Sequence, residues 1–275
     1  QPTISAHISS LEKELNARLF VRNTKEVKLS DDGKDLYRYA RQMIDLQKKI
    51  EERFETGKEE SKHLITIAAS TIPAQYILPK ILMKFNERYP KEQVKLLETD
   101  SSQVVTQIID HMVDVGFTGT VLEKKHCKYI PFYKDELVVI TPNTEKYQKL
   151  LEDMPDDISW IGGEHLIMRE EGSGTRKEAG KQLRAAGINL DKLKIIASIE
   201  NQETIKKSVK QGMGISVISR LAAEDEVKYG DLLAFSIPKA DQGRDINLVY
   251  NKNYQMSKST ERFVKIVKEV YGIEE

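Results

Sequence analysis

"QPTISAHISSLEKELNARLF", residues 1–20, is the stretch from which the rest of the chain can be read. Ile4, Ile8, Leu11 and Leu15 stand four, three and four residues apart, the spacing of one apolar helical stripe. The other side carries Pro2, Ala6, Ser9 and Lys13, flanked by Thr3, Ser5 and Ser10, so nothing before Lys13 is bulky. Solvated faces normally carry long charged side chains, whereas small residues let a helix backbone come close to another surface. Pro2 suits a first helical turn, where the missing N–H costs nothing, and the free N–H groups of such a turn favour phosphate.

The next stretch, "LFVRNTKEVKLSDDGK" from Leu19, reads as strand, turn, strand and helix start, a hairpin with Arg22, Lys25 and Lys28 about its turn. A basic hairpin beside a small-faced helix suits major-groove reading with a wing on the backbone. Spacing alone leaves DNA binding and an ordinary amphipathic helix both open. Residues 30–54 then predict one long helix, with Ser30 as N-cap and Asp31 and Asp32 in the dipole-favoured first turn. Leu36, Met43 and Ile50 alternate with Ala40, Gln47 and Phe54 in a heptad seam. Polar residues on its other faces favour pairing with a second copy over packing on its own domain. The charged segment "ETGKEESKH", 55–63, reads as a linker.

Beyond it the pattern changes to alternating strands and helices. Strands are expected at "LITIAAS", "QVKLLETD", "DVGFTG", "DELVVITP", "HLIMRE", "KIIASIE", "GISVIS", "LLAFSIP" and "DINLVYN". Helices are expected at "AQYILPKILMKFNERY", "QVVTQIIDHMV", "RKEAGKQLRAAG", "QETIKKSVKQG" and "STERFVKIVKEVYG". Repeated strand-helix-strand units imply a parallel sheet with helices on its faces. The 275 residues suffice for two domains and a sizeable core. Lys plus Arg equals Asp plus Glu at 43 each, so any charge-guided partner must be met locally. One cysteine, Cys127, excludes an internal disulfide, and no apolar run reaches the roughly 20 residues of a bilayer span. A soluble, cytoplasmic protein without membrane attachment is expected.

Several strand ends lead through small hydroxylated residues into helix starts: Ser70 and Thr71, Ser101 and Ser102, and Thr118. For Ser101 and Ser102 simple capping is the competing reading. In "REEGSGTRKE", Ser173, Gly174, Thr175 and Arg176 combine a tight turn, two hydroxyls, a guanidinium and free N–H groups, which together suit an anion. The loop is neither a Walker sequence nor a nucleophile elbow. His126 beside Cys127 is poor geometry for one metal, and five scattered histidines give no zinc spacing. Glu170 and Glu171 should diverge, one salt-bridged and one solvated. Ile77, Ile81, Phe85 and Tyr89, with Trp160, read as packing. No nucleophile stands with a base and orienter, so an enzyme is not expected, and neither a metal nor a cofactor is called for.

The opening stretch with "VKLSDDGK" resembles the second half of the winged helix-turn-helix of LysR-type transcriptional regulators. The pattern Q-P-x-x-S-x-x-I-x-x-L-E, L-F-x-R and L-T-x-x-G is met by Gln1, Pro2, Ser5, Ile8, Leu11, Glu12, Leu19, Phe20, Arg22, Leu29, Ser30 and Gly33. The resemblance implies an α/β chain: a partial winged helix-turn-helix over 1–30, with two further helices upstream; a linker and dimerisation helix over 31–61; and a two-subdomain effector module like periplasmic solute-binding proteins. Subdomain I is expected at 62–141 and 243–275, subdomain II at 142–242, with crossings near Thr141 and Gly243. It implies double-stranded promoter DNA as partner, met by Gln1, Pro2, Thr3, Ser5, His7, Arg22 and Lys25. Ala6 and His7 depart from the long polar side chains common there, so base preference cannot be copied. It further implies self-association to a dimer through the linker helix and to a tetramer, with RNA polymerase as a further partner. A small anionic effector is expected on Ser70, Thr71, Ser101, Thr118, Ser173, Gly174, Thr175, Arg176 and Asn201. "ASTIPAQYILP" and "REEGSGTRKE" are similar to regulators of sulfur assimilation and selenium-associated genes, implying a sulfur or selenium oxyanion or a carboxylated metabolite. The competing reading is a solute-binding protein for an oxyanion.

Overall fold

The computed structural model describes residues 2–23, 26–54, 64–153, 157–238 and 243–273. The chain divides into two compact units, the first ending at Ser61 and the second running from Lys62 to Glu275 apart from the turn Asp110–Met112.

The first unit contains α1 (Pro2–Glu14), β1 (Phe20–Asn23), β2 (Glu26–Leu29) and α2 (Asp31–Phe54). Asn16 ends the first helix in the left-handed region, φ 49°, a conformation asparagine tolerates. β1 and β2 pair antiparallel from Phe20 opposite Leu29 to Asn23 opposite Glu26. The base of this hairpin is tied from both sides. Glu12 Oε1 accepts from the N–H groups of Leu19 and Phe20 at 2.8 and 3.3 Å, while Ser30 N donates to Leu19 O at 3.0 Å. Ser30 Oγ caps α2 by accepting from Gly33 N at 2.9 Å and also donates to Arg18 O. Gly33 is required here, since a Cβ would lie 2.0 Å from Leu19 O. Met43 and Ile50 on the α2 seam are 72% and 51% exposed, and Ile4 and Leu11 of α1 and Leu15 just beyond it are exposed as well. The expected linker 55–63 lies outside the described residues.

The second unit runs β3 (Leu64–Ala69), α3 (Leu78–Arg88), β4 (Gln93–Glu98), α4 (Ser101–Ile109), β5 (Val115–Thr118), β6 (Cys127–Asp135), β7 (Leu137–Pro142), α5 (Glu145–Asp153), β8 (His165–Met168), α6 (Gly174–Ala185), β9 (Lys194–Ser198), α7 (Gln202–Lys210), β10 (Ile215–Ser219), α8 (Arg220–Lys228), β11 (Leu232–Ser236), β12 (Arg244–Asn251) and α9 (Lys258–Tyr271). They build two five-stranded sheets, ordered β4-β3-β5-β12-β6 and β11-β7-β10-β8-β9. The sheets are mixed rather than parallel throughout: β12 runs antiparallel to β5 and β6, and β7 antiparallel to β10 and β11. All nine strands expected from the sequence form. β6 was not expected, because Pro131 at its centre and the lysines near its two ends, Lys128 and Lys134, mask it; Pro131 is tolerated on this edge strand beside a register shift opposite Ile246 and Asn247. The chain first crosses between sheets at Glu136, five residues before the expected Thr141, since β7 pairs entirely within the second sheet. The helix expected from Ala74 opens into a π turn over Pro73–Ile77, where Leu78 N reaches Pro73 O. Pro79, one residue later, has no N–H to continue an α-helical ladder.

Phe85, Phe117 and Phe263 stack edge to face between the first sheet, α3 and α9. On the other face α4 presses so close that a Cβ on Gly116 would stand 2.5 Å from Val104 Cγ1. The second sheet is covered by α5 and α6 on one face, where Trp160 packs on Phe235 and donates to Asp157 O at 2.8 Å. Ile205, Val209, Ala222 and Ala223 of α7 and α8 cover the other. Each fully buried large apolar side chain contributes about 1.5–3 kcal/mol.

Candidate functional site

The carboxyl ends of strands from both sheets converge on one cleft in the second unit, the place where open α/β sheets bind ligands. Ser70, Thr71 and Ile72 follow β3, and Thr99, Asp100 and Ser101 follow β4. Arg169 and Glu170 follow β8, Ser173, Gly174 and Thr175 open α6, and Arg244 begins β12. The free volume is about 20 Å³, room for little more than a water molecule. Gly174 explains how tightly the walls meet: a Cβ there would lie 2.7 Å from Thr120 Oγ1 and 3.2 Å from Ser101 Oγ.

Ser173 caps α6, its hydroxyl accepting from Arg176 N at 3.4 Å. The N–H groups of Gly174 and Thr175, in the first turn, have no carbonyl one turn back to bind. Ser101, Ser173 and Thr175 are each at least 95% buried. Arg244 Nη1 donates to Thr175 Oγ1 at 3.0 Å, and its Nε and Nη2 lie 2.9 and 2.8 Å from Asp135 Oδ2. Ser219 Oγ donates to the other Asp135 oxygen at 2.5 Å. Arg169 is held by Glu170 in a two-pronged pair, 2.8 and 2.9 Å. Glu171 is exposed, so the adjacent carboxylates diverge as their positions at a strand end required.

Of the nine expected effector residues the cleft gathers Ser70, Thr71, Ser101, Ser173, Gly174 and Thr175. It does not gather the other three. Thr118 is fully buried in β5 and donates to Thr120 O at 3.0 Å. Arg176 turns away, Nη1 donating to Arg169 O at 2.9 Å and reaching Ser198 Oγ at 3.4 Å. Asn201 caps α7, accepting from Thr204 N at 2.9 Å. α4 is capped by Asp100 rather than by Ser101 or Ser102; its Oδ1 accepts from Ser102 N and Gln103 N at 2.7 and 2.9 Å. Arg244, Asp100, Arg169 and Glu170 were missed as cleft residues. "TDSS" carried the signal of an N-capping aspartate at a strand end, whereas Arg244 lies after a crossing and has no local motif.

Among the expected DNA-facing residues, Ser5 and His7 lie exposed on α1. Gln1 and Lys25, and the side chains of Pro2, Thr3 and Arg22, lie outside the described residues. Cys127 is buried, and burial together with nearby Glu123 pushes its thiol up to about 11. Among the described residues no group of three or more His, Cys, Asp or Glu is placed to hold a metal, and no helix is long and apolar enough to cross a membrane.

Comparison with known proteins bears on both units. The model of bacterial regulatory helix-turn-helix proteins of the lysR family matches residues 1–34, and the model of the LysR substrate binding domain matches 58–272. The chain is 30% identical to an uncharacterized HTH-type transcriptional regulator of Methanocaldococcus jannaschii, over 98% of this chain and 90% of that one. It is 26% identical to the HTH-type transcriptional regulator CysL of Bacillus subtilis, over 98% and 89%. Among solved structures it resembles the CcmR regulatory domain of Synechocystis PCC6803 in complex with 2-PG, with TM-score 0.67, 25% identity and coverage of 77% and 98%. Full-length CbnR complexed with its target DNA shares the fold at TM-score 0.71, 18% identity and coverage of 98% and 90%.

Proposed function

We infer that this chain, which belongs to the LysR family of transcriptional regulators, binds promoter DNA through its N-terminal unit and takes its signal from a small anion in the cleft of its effector-binding domain. The observation that carries the anion is the start of α6: free N–H groups and the hydroxyls of Ser173 and Thr175 meet Ser70, Thr71 and the buried guanidinium of Arg244. The effector class is a sulfur- or selenium-related oxyanion or a carboxylated metabolite; the likeness to CysL lends loose support to the sulfur branch. Ser5 and His7 on α1, with Gln1, Pro2, Thr3 and the hairpin's Arg22 and Lys25, meet the DNA. The exposed seam of α2 pairs with a second copy, and two such dimers form a tetramer in the cytoplasm, with RNA polymerase as a partner at the promoter.

Effector binding then changes the relation between the DNA-binding dimers and so the bend of the promoter. The test is footprinting of the full chain on its promoter, with sulfate, sulfite, selenite and small carboxylates in turn. An effector should shorten or shift the footprint, and Thr175→Ala should raise the concentration needed by about tenfold, the cost of a lost charge-assisted bond. An unchanged footprint with every anion would overturn the switch.

A further inference from the structure

The two walls of the cleft already touch. On the side of the first sheet stand Asp100 and Ser101 after β4 and Thr120 after β5, and on the side of the second stands the turn 172–175 between β8 and α6. A Cβ on Gly172 would lie 4.0 Å from Asp100 Cβ and 3.7 Å from its Oδ2. A Cβ on Gly174 would lie 3.7 Å from Thr120 Cβ and only 2.7 Å from Thr120 Oγ1, so the missing side chain is what lets the walls come this close.

A hydrogen bond spans the gap. Arg244 and Asp135 are register partners on the neighbouring first-sheet strands β12 and β6, so their ion pair moves as one body with that sheet. From there Arg244 Nη1 reaches across to Thr175 Oγ1 at 3.0 Å. Parting the walls breaks that bond and leaves the ion pair whole. With the walls together the space between them is about 20 Å³, enough for one water. Even sulfite, with three oxygens about its sulfur, does not fit.

We propose that the effector-binding domain rests shut, latched by Arg244 on Thr175 and by the turn 172–175 against Asp100 and Thr120, and that the effector binds only after these walls part. The proposal rests on the reading of the cleft as the effector site and adds how that site is regulated. An entering anion takes the Thr175 hydroxyl from Arg244, so the bound form is the parted one. Its apparent affinity is the intrinsic affinity lowered by the fraction of chains that stand open.

The distances supply the test. Disulfides need Cβ atoms about 3.5–4.5 Å apart, and two pairs across the gap meet that condition: Thr120→Cys with Gly174→Cys, at 3.7 Å, and Asp100→Cys with Gly172→Cys, at 4.0 Å. The native Cys127 is buried with its thiol raised to about 11, so it does not compete. Each double variant of the full chain is exposed to oxidised glutathione with no effector added, and crosslinking is followed by mass spectrometry of its peptides. Both pairs should close at least about tenfold faster than in the same chains unfolded in urea, because the folded walls hold the thiols together. Closure no faster than in urea shows walls that stand apart at rest and overturns the proposal. Asp100 caps α4, so a melting curve of the reduced chain verifies that the second variant folds; should it not fold, the first pair, which leaves that cap untouched, decides alone.

The need to open is read by calorimetric titration of the 100–172 pair, reduced and crosslinked, with sulfate, sulfite, selenite and small carboxylates. Any probe that binds the reduced form should bind the crosslinked form at least about 100-fold more weakly. Equal affinity before and after crosslinking overturns the opening step. If none binds the reduced form, the small-anion reading fails and takes the opening step with it, while the crosslinking rates still decide whether the domain rests shut.

Discussion

Arg244 and Asp135 hold the two chain crossings of the effector-binding domain against each other, with two guanidinium nitrogens 2.8 and 2.9 Å from one carboxylate oxygen and both side chains at least 94% buried. Asp135 ends β6 just before the first crossing, and Arg244 begins β12 just after the second. Ser219 and Thr175 complete the set, so the brace reaches from the crossings to the cleft wall. Removing one partner strands the other charge. Asp135→Asn should cost about 3–5 kcal/mol in urea unfolding, whereas replacing both by apolar residues of similar size should recover most of that. A single variant as stable as the parent would show the pair to be idle.

Gly33 supports the wing in a way no other residue can. Alanine there would place a methyl carbon 2.0 Å from Leu19 O, where β1 begins. Backbone cannot step aside as a flexible side chain does, so Gly33→Ala should cost about 1–3 kcal/mol in the N-terminal unit. DNA affinity should fall in gel-shift titration while the effector-binding domain's own melting step stays in place.

The seam of α2 makes a prediction about assembly. Met43 and Ile50 are largely exposed in the single chain, an arrangement a helix pair would cover. Met43→Lys with Ile50→Lys should weaken self-association roughly 100-fold or more, read by sedimentation equilibrium. Unchanged oligomer size would place the interface elsewhere.

Glu136, at the first crossing, is bound by Arg220 through two hydrogen bonds of 2.6 and 2.8 Å. The Arg220 hydrogen bonds, against the opposing effect of burial, hold its carboxyl below the ordinary 4.5. A depressed carboxylate stabilises the fold fully above its unfolded value and loses that contribution as pH falls through the folded one. The parent should therefore exceed Glu136→Gln in stability at neutral pH, by less than about 1 kcal/mol because the pair is half-exposed. Melting curves should converge below pH 4.5.

Cys127 should be chemically quiet. Buried and with its thiol raised to about 11, it holds little thiolate at neutral pH. Ellman's reagent should react with it only after unfolding; reaction in the folded protein within minutes would contradict the burial.

Much of this was legible because short-range chemistry wrote it. Short apolar runs between helical patterns marked the nine expected strands, Ser30 marked the start of α2, and the glycines of "GSGT" marked the turn that enters the cleft. What escaped was long-range. β6 carries Pro131 and is stabilised as a strand by its ladder with β12, more than a hundred residues away. Asp135 and Arg244 are 109 residues apart and meet only because the chain crosses twice between the sheets. Arg176 and Asn201 had suitable chemistry at suitable strand ends; neighbouring backbone groups claimed them first.

The strand order carries a consequence for synthesis. β12 lies between β5 and β6, yet it is made after every strand of the second sheet. On the ribosome the first sheet must wait with two unfilled ladders until residues 244–251 emerge, while the second sheet has all of its strands by Ser236. A nascent chain arrested before Arg244 therefore presents two open edges to its surroundings, and the interval before β12 emerges is the one in which a chaperone has most to cover.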